Sequence, residues 1–442
     1  MIDRTTPVET ALMTSLAACF LCLALYPGQK ANPPMSLTDV VKAGLVGSPR
    51  LRAAKYGAAA GRAQIEKERP MARPTVKAEA QGIAQGPRVT FPRAGGSDAT
   101  VLPEEYARAE LMLEQLLYRP GIGPARARYQ AQLRANEWEY RNVENDLVLD
   151  VHKAYFGYLS AQALADVAAG GADLASKHFE LTKIMHAAGT AMERDVKAAD
   201  ADVVEAEQGS SRARNGVGLA RANLNRLMGR TPSQDLTVAP VATVPTVPTR
   251  PDDGIEMALI RRPEIKQIGE QLIAARAGIA LAGSQNGPSI SARGTASTQT
   301  PSAFVRSEYF AGTLVLTWNP FDGGRSRADV QEARARLSQL EALLEDAKLG
   351  MRLEVEKAWR EMGEAAERIK AADRQVAAAE SASDVSRLRF EARQATQLEV
   401  SGALLNVTKA RTNRVQALYD LHIAAAEYRH ATGIDVPQEN PR

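Results

Sequence analysis

Five histidines (His152, His178, His186, His422 and His430) and two cysteines (Cys19 and Cys22) are the side chains best suited to metal ligation or nucleophilic catalysis. Their distribution supports neither. The histidines show no ligand spacing, and both cysteines fall in the first 25 residues, so no zinc site, disulfide framework or thiol nucleophile operates in the body of the chain. No Gly-rich loop follows a strand pattern and no nucleophile motif is present. The expectation is a protein without metal, without cofactor and without enzymatic activity. What remains is patterned surface: polar and apolar residues set at strand and helix periods.

The 442 residues carry 55 Lys and Arg against 52 Asp and Glu, a net charge of +3 spread along the chain, which excludes a clustered field for nucleic acid. Hydrophobic residues make up 45% but aromatic ones only 5%, and Ala/Leu/Glu/Arg/Gln tracts recur, so long helices are expected. Residues 1–31 read as a secretory signal: Arg4, then an apolar run from Leu12 to Leu25, then Tyr26-Pro27-Gly28, too short to span a membrane as a helix. Within it, Leu16-Ala17-Ala18-Cys19 has the form of a bacterial lipoprotein cleavage site, which makes Cys19 a candidate for lipidation, with cleavage after Ala31 as the alternative.

The chain is written twice. Leu37 to Pro74 lines up with Ile255 to Pro288, Tyr118-Arg119-Pro120-Gly121-Ile122-Gly123 with Trp318-Asn319-Pro320-Phe321-Asp322-Gly323, and Leu149 to Tyr155 with Leu353 to Trp359. The first repeat covers 36–229 (a helix, a strand pair over 75–118, long helices over 124–188 and 191–229). A Pro-rich extended linker covers 230–252. The second repeat covers 253–433 (a helix, a strand pair over 288–318, long helices over 324–392 and 395–433), and 434–442 is a tail. Ser36 with Asp39 predicts a capped helix start, kinked at Pro49.

Behind Pro74 and Pro288 the residues alternate. Thr75, Lys77, Glu79 and Gln81 face one way and Val76, Ala78 and Ala80 the other. Ser289, Ser291, Arg293 and Thr295 repeat this against Ile290, Ala292, Gly294 and Ala296, the mark of half-buried strands. Return strands are expected near Glu105 to Tyr118 and Glu308 to Trp318, with Gly- and Ser-rich loops over about 83–104 and 297–307. Tyr118, Trp318 and Phe321 collect at the strand ends, where an aromatic girdle would meet a bilayer interface. The long helices keep heptad order. Val196, Val203, Ser210, Val217 and Leu224 recur with Ala199, Ala206, Ala213 and Ala220, and Val400, Val407, Arg414, Leu421 and Tyr428 repeat the row in the second copy. At 1.5 Å per residue the helices over 124–188 and 324–392 reach roughly 100 Å.

Signal sequence, duplication, paired strands and long hairpins together resemble the TolC-like outer-membrane efflux protein family. The most specific stretch, Leu314 to Arg325, is similar to its strand-to-helix junction, and Phe390 to Val400 to its second hairpin tip. The resemblance implies a mainly α fold with a small β part. Tandem long α-helical hairpins would build a coiled-coil barrel, with four strands per chain in a trimeric twelve-stranded transmembrane β-barrel. It further implies an outer-membrane conduit of a tripartite efflux or type I secretion system. The partners would be a homotrimer's own copies, a periplasmic adaptor (membrane fusion) protein, an inner-membrane transporter and outer-membrane lipid. Thr75, Lys77, Glu79, Gln81, Ser289, Ser291, Arg293 and Thr295 would line the lumen. Ala188, Gly189, Thr190 and Ala191, with Arg393, Gln394, Ala395 and Thr396, would be the adaptor-contacting tips. Glu193, Asp195, Glu391 and Glu399 would place like charges at the entrance, where repulsion favours opening. Three features depart from the pattern: Arg393 stands where the tip usually has Gly, the first junction Arg119 to Pro124 is degenerate, and Glu110 and Glu114 put charge into the second strand. The alternative is a periplasmic coiled-coil adaptor or scaffold without a pore.

Overall fold

The computed structural model describes residues 34–68, 73–241, 243–300 and 306–435. The expected signal, Cys19 and nearly all of the tail lie outside these residues. Helix α1 spans Leu37–Gly47 and α2 spans Pro49–Glu68. Ser36 and Asp39 cap α1 reciprocally: the Asp39 N–H donates to Ser36 Oγ at 3.2 Å and the Ser36 N–H to Asp39 Oδ2 at 3.2 Å. Pro49 does more than kink this segment. Ser48 is extended (ψ 123) and Pro49 opens a separate helix, because the proline ring excludes the helical conformation from the residue before it. The second repeat breaks in the same way between α5 (Asp252–Arg261) and α6 (Pro263–Gly283), at Arg262 with ψ 130.

Six strands follow the two helix pairs: β1 Thr75–Ala84, β2 Val89–Phe91, β3 Ala99–Leu102, β4 Glu105–Tyr118, β5 Ser289–Gln299 and β6 Glu308–Thr317. The segment read from sequence as a plain loop over 83–104 instead contains the β2–β3 ribbon, in which Val89, Thr90 and Phe91 pair with residues of Ala99–Leu102. The four long strands form one antiparallel sheet in the order β1-β4-β5-β6. The strand pairs of the two repeats thus join through β4 and β5.

Two long helices leave the sheet, α3 (Ile122–Ala187, 66 residues) and α7 (Arg325–Glu391, 67 residues), and from their far ends the chain turns back as α4 (Glu193–Leu227) and α8 (Gln397–Thr432). The heptad rows are their seams. Ala199, Ser210 and Leu224 are buried on α4, and Val400, Val407, Ala410, Ala417, Leu421, Ala424 and Tyr428 on α8, while Arg414 turns out to an ion pair with Asp373 at 2.6 Å. One apolar core gathers Val40, Leu51, Leu147, Val151, Tyr155, Tyr158 and Leu224, and a second gathers Ala258, Val355, Met362, Leu421 and Tyr428. The segment between the repeats is strapped to both. Met35 pairs with Val238, the Tyr155 hydroxyl donates to Ala239 O at 2.6 Å, and Trp359 Nε1 donates to Pro248 O at 2.8 Å. Tyr155 and Trp359 are equivalent positions of the repeat, each used as a donor to the strap.

Candidate functional site: the two-faced sheet and the hairpin tips

The register decides what each face of the sheet presents. Directly paired residues share a face. Thr75 pairs with Glu114, and Glu114 with Arg293; Lys77 pairs with Met112, and Met112 with Thr295; Glu79 pairs with Glu110, and Glu110 with Ser297; Gln81 pairs with Arg108, and Arg108 with Gln299. Ser289 and Ser291 continue this face at the helix end, opposite Thr317 and Val315. All eight strand residues singled out from sequence therefore stand on one polar face. Glu110 and Glu114 stand there too, so the charge in the second strand fits the register instead of breaking it. Sequence reasoning missed Arg108, Glu110, Glu114, Ser297 and Gln299 as members of this face. The signal was present: Arg108, Glu110, Met112 and Glu114 alternate with Ala109, Leu111 and Leu113 at period two.

Charges on this face are locally paired. Arg293 lies 3.4 Å from Glu114, Arg108 lies 3.0 Å from Glu110 and Lys77 lies 3.2 Å from Glu79. Three cations answer three carboxylates, so the face is polar without a dominant sign. The opposite face carries Val76, Ala78 and Ala80 of β1, Leu111 and Leu113 of β4, Ala296 of β5, and Phe310, Leu314 and Leu316 of β6, of which Phe310 is 78% exposed. Tyr118 pairs with Ile290 and Ser289 pairs with Thr317, which puts Tyr118, Trp318 and Phe321 at the helix end of the sheet, all exposed.

At that end the two junctions enter their helices in the same way. Gly121 (φ 94) and Gly324 (φ 94) occupy the helix N-caps in the left-handed conformation, so they are the equivalent pair, rather than the Gly123 and Gly323 that the sequence repeat superposes. The second junction adds a side-chain cap: Asp322 accepts from Gly324 N–H at 3.0 Å, from Ser326 N–H at 2.7 Å and from Ser326 Oγ at 2.6 Å. These hydrogen bonds, Ser326 foremost, hold the Asp322 carboxyl well below its ordinary range.

The far ends of the helices form two tips with one backbone design. In the first, Gly189 (φ 72) follows the last turn of α3, the Thr190 N–H reaches Met185 O at 2.8 Å and the Gly189 N–H reaches His186 O at 2.8 Å. In the second, Arg393 (φ 63) takes the glycine's place, the Gln394 N–H reaches Arg389 O at 2.7 Å and the Arg393 N–H reaches Phe390 O at 2.9 Å. Both are Schellman turns. Ala188, Gly189, Arg393, Gln394 and Thr396 are exposed, and Thr190, Ala191 and Ala395 are half-buried.

The carboxylates near these tips have local employment. Asp195 accepts from the Met192 N–H at 3.1 Å and Glu399 from the Thr396 N–H at 3.4 Å, each serving a helix N-terminus. Glu193 lies 2.8 Å from Lys197, and Glu391 lies 3.8 Å from Arg387. Each is partnered within its own tip, so unopposed like charge is not what the single chain presents there.

Just behind the tips a buried polar cluster ties the two hairpins together. His178 Nε2–H donates to Gln397 Oε1 at 2.7 Å, the Thr182 hydroxyl donates to His178 O at 2.9 Å, Gln397 Nε2 donates to Ser401 Oγ at 3.3 Å, and Ser401 Oγ donates to Asp202. Phe390 meets the His178 ring edge-on at 5.3 Å. Burial pushes the His178 imidazole down from its usual range. The other histidines are dispersed: His186 on Ala191 O at 2.9 Å, His422 stacked on Phe156 at 4.7 Å, His430 on Asp146 at 3.2 Å and His152 in a cavity wall. Among the described residues no group of three or more His, Cys, Asp or Glu is placed to hold a metal ion, and no helix is long and apolar enough to cross a membrane.

Comparison with known proteins places this geometry. Residues 40–230 and 254–434 match the family described as outer membrane efflux protein. The chain is 26% identical to Protein CyaE of Bordetella pertussis over 64% of this chain, a match that spans 62% of that relative's length. Among solved structures, the outer membrane protein VceC of Vibrio cholerae superposes with a TM-score of 0.74 at 17% identity, covering 90% of this chain and 96% of VceC. The open state of the Neisseria gonorrhoeae MtrE outer membrane channel gives 0.72 at 20% identity, covering 90% and 88%. Long helical hairpins, a two-faced four-stranded sheet and a matched sequence over both repeats lead to one assignment: the chain belongs to the outer membrane efflux protein family.

Proposed function

We propose that this protein is the outer-membrane channel of a tripartite efflux or type I secretion system, a passive conduit from periplasm to exterior. One observation carries the reading: a four-stranded sheet, apolar on one face and polar on the other, whose edge strands β1 and β6 have no partner within the described chain. In water, exposed Phe310, Leu314 and Leu316 beside an open edge invite aggregation. In a bilayer the same face is solvated by lipid, and the edges must close because no water remains to bond them. Three copies supply twelve strands, with β6 of one copy against β1 of the next. Thr75, Lys77, Glu79, Gln81, Ser289, Ser291, Arg293 and Thr295, joined by Arg108, Glu110 and Glu114, then face the lumen, and Tyr118, Trp318 and Phe321 sit at the interface.

On this reading the chain does no bond chemistry. The helices of three copies build a hollow periplasmic cylinder of roughly 100 Å. Ala188–Ala191 and Arg393–Thr396 end it and are the contact for an adaptor and inner-membrane transporter. Glu193, Asp195, Glu391 and Glu399 act there as caps and paired charges that the adaptor can re-pair as the tips part. The ion-paired, sign-balanced lumen face favours polar solutes over apolar ones without selecting strongly between anions and cations. A pore-free adaptor has no use for the two-faced sheet.

The test is the native mass of full-length protein extracted in detergent from a purified outer-membrane fraction. About three times the 47.6 kDa of the chain is expected. A water-soluble periplasmic monomer or dimer sinks the conduit. Cys19→Ala in the same preparation reads lipidation: loss of a lipid-sized mass increment supports it, and an unchanged mass removes it.

A further inference from the structure

A cavity of about 260 Å³ lies between α1, α3 and the end of α8, away from both the sheet and the tips. Its wall mixes chemistries in a way that packing alone does not need. Asn145 is only 4% exposed, and neither its amide nitrogen nor its amide oxygen has a hydrogen-bond partner. A buried, unsatisfied amide is costly, and natural cores rarely keep one without something to bond it. His152, about two turns further along α3, is also buried and makes no hydrogen bond among the described residues; burial pushes its imidazole down. Leu37, Val41, Leu45 and Val148 supply an apolar side.

The charge balance sets the sign of an occupant. Arg141 pairs with Glu144 at 2.7 Å and Arg429 pairs with Asp435, which cancels four of the five charged side chains in the wall. Lys42 is the fifth: it is exposed and acts on the Asp39 carboxylate of the same helix, with no carboxylate within 4 Å of it among the described residues. A water molecule serves the amide but leaves the apolar side of the cavity unfilled.

We propose that this cavity binds a small amphiphilic carboxylate, with Lys42 as its counter-charge, Asn145 and His152 as its hydrogen-bonding groups and the α1 leucines against its apolar body. Because α1 opens the first repeat and Arg429 and Asp435 close the second, an occupant ties the two ends of the fold together. The site is independent of the conduit reading, since it uses none of the sheet or tip residues.

The experiment is a thermal melt of the detergent-extracted full chain titrated with hexanoate, with hexanol and chloride as controls. A ligand that binds only the native state raises the melting temperature with its concentration. The expected result is a saturable upward shift with hexanoate and none with hexanol or chloride. Lys42→Gln should weaken the apparent affinity about fivefold, the scale of a partly exposed ion pair, and Asn145→Leu should abolish the shift. If Asn145→Leu does not fold, Lys42→Gln alone decides. No shift at millimolar hexanoate, a shift matched by hexanol, or a soaked crystal with only water bonded to Asn145 overturns the proposal.

Discussion

The two hairpin tips share a backbone and divide its requirements differently. The first places glycine, Gly189, at the left-handed position and starts its second helix behind Met192, which has no side-chain cap. The second places arginine, Arg393, at that position and starts its second helix behind Thr396, whose hydroxyl accepts from the Glu399 N–H at 3.3 Å. A left-handed side chain costs roughly 1 kcal/mol relative to glycine, and a threonine N-cap contributes about 1 kcal/mol. Each tip therefore has one favourable and one unfavourable half, and the sums nearly agree. The turn is set by two antiparallel helices that need a Schellman closure, and the residues adapt to it.

The strongest way to break this balance is to remove what the tips share, the buried cluster behind them. Gln397→Ala leaves the His178 N–H without its acceptor in a buried site, and about 2 kcal/mol of local stability should be lost. Hydrogen exchange of α3 near Thr182 and of the first turns of α8 reads it directly; unchanged protection would show that the cluster holds nothing. A smaller loss should follow acidification. The folded His178 is held below its unfolded value of about 6.5, so its contribution is complete above that pH. As pH falls below about 6.5 the unfolded form takes up the proton first, and stability declines until the folded imidazole titrates too. Protection at the first tip, corrected for the intrinsic slowing of amide exchange in acid, should therefore fall between neutral and mildly acidic pH, and His178→Gln should flatten that dependence.

Much of the fold was legible because its signals are periodic. Period two placed β1 and β5, heptads placed the seams of α4 and α8, and the duplication doubled every clue. What escaped was set by tertiary partners. The β2–β3 ribbon lies in a segment where Gly86, Pro87, Gly95 and Gly96 read as loop, and only cross-strand pairing makes Val89–Phe91 a strand. Arg393 read as a poor turn residue because propensity is local, whereas the hairpin imposes φ 63 from outside. The polar face was only partly read. Glu110 and Glu114 looked like intrusions until the pairing of β4 with β1 and β5 showed which way they point. The Gln397 cluster had no sequence signal, since His178 and Gln397 are 219 residues apart.

Two further substitutions sharpen the comparison between the tips. Thr396→Ala removes the cap that the first tip lacks, so it should cost the second tip about 1 kcal/mol and leave the first unchanged; exchange at α8 separates the two outcomes. Arg393→Gly is expected to act in the opposite direction by a smaller amount. Glycine relieves the left-handed side chain but adds freedom to the unfolded chain, so the net gain should be about 0.5 kcal/mol. The Arg389 guanidinium still donates to Gln394 O at 3.2 Å, which keeps the turn's geometry through the change. If Arg393→Gly instead loosens the second tip, then the Arg393 side chain itself holds the turn, and the equivalence of Gly189 and Arg393 is confined to their backbones.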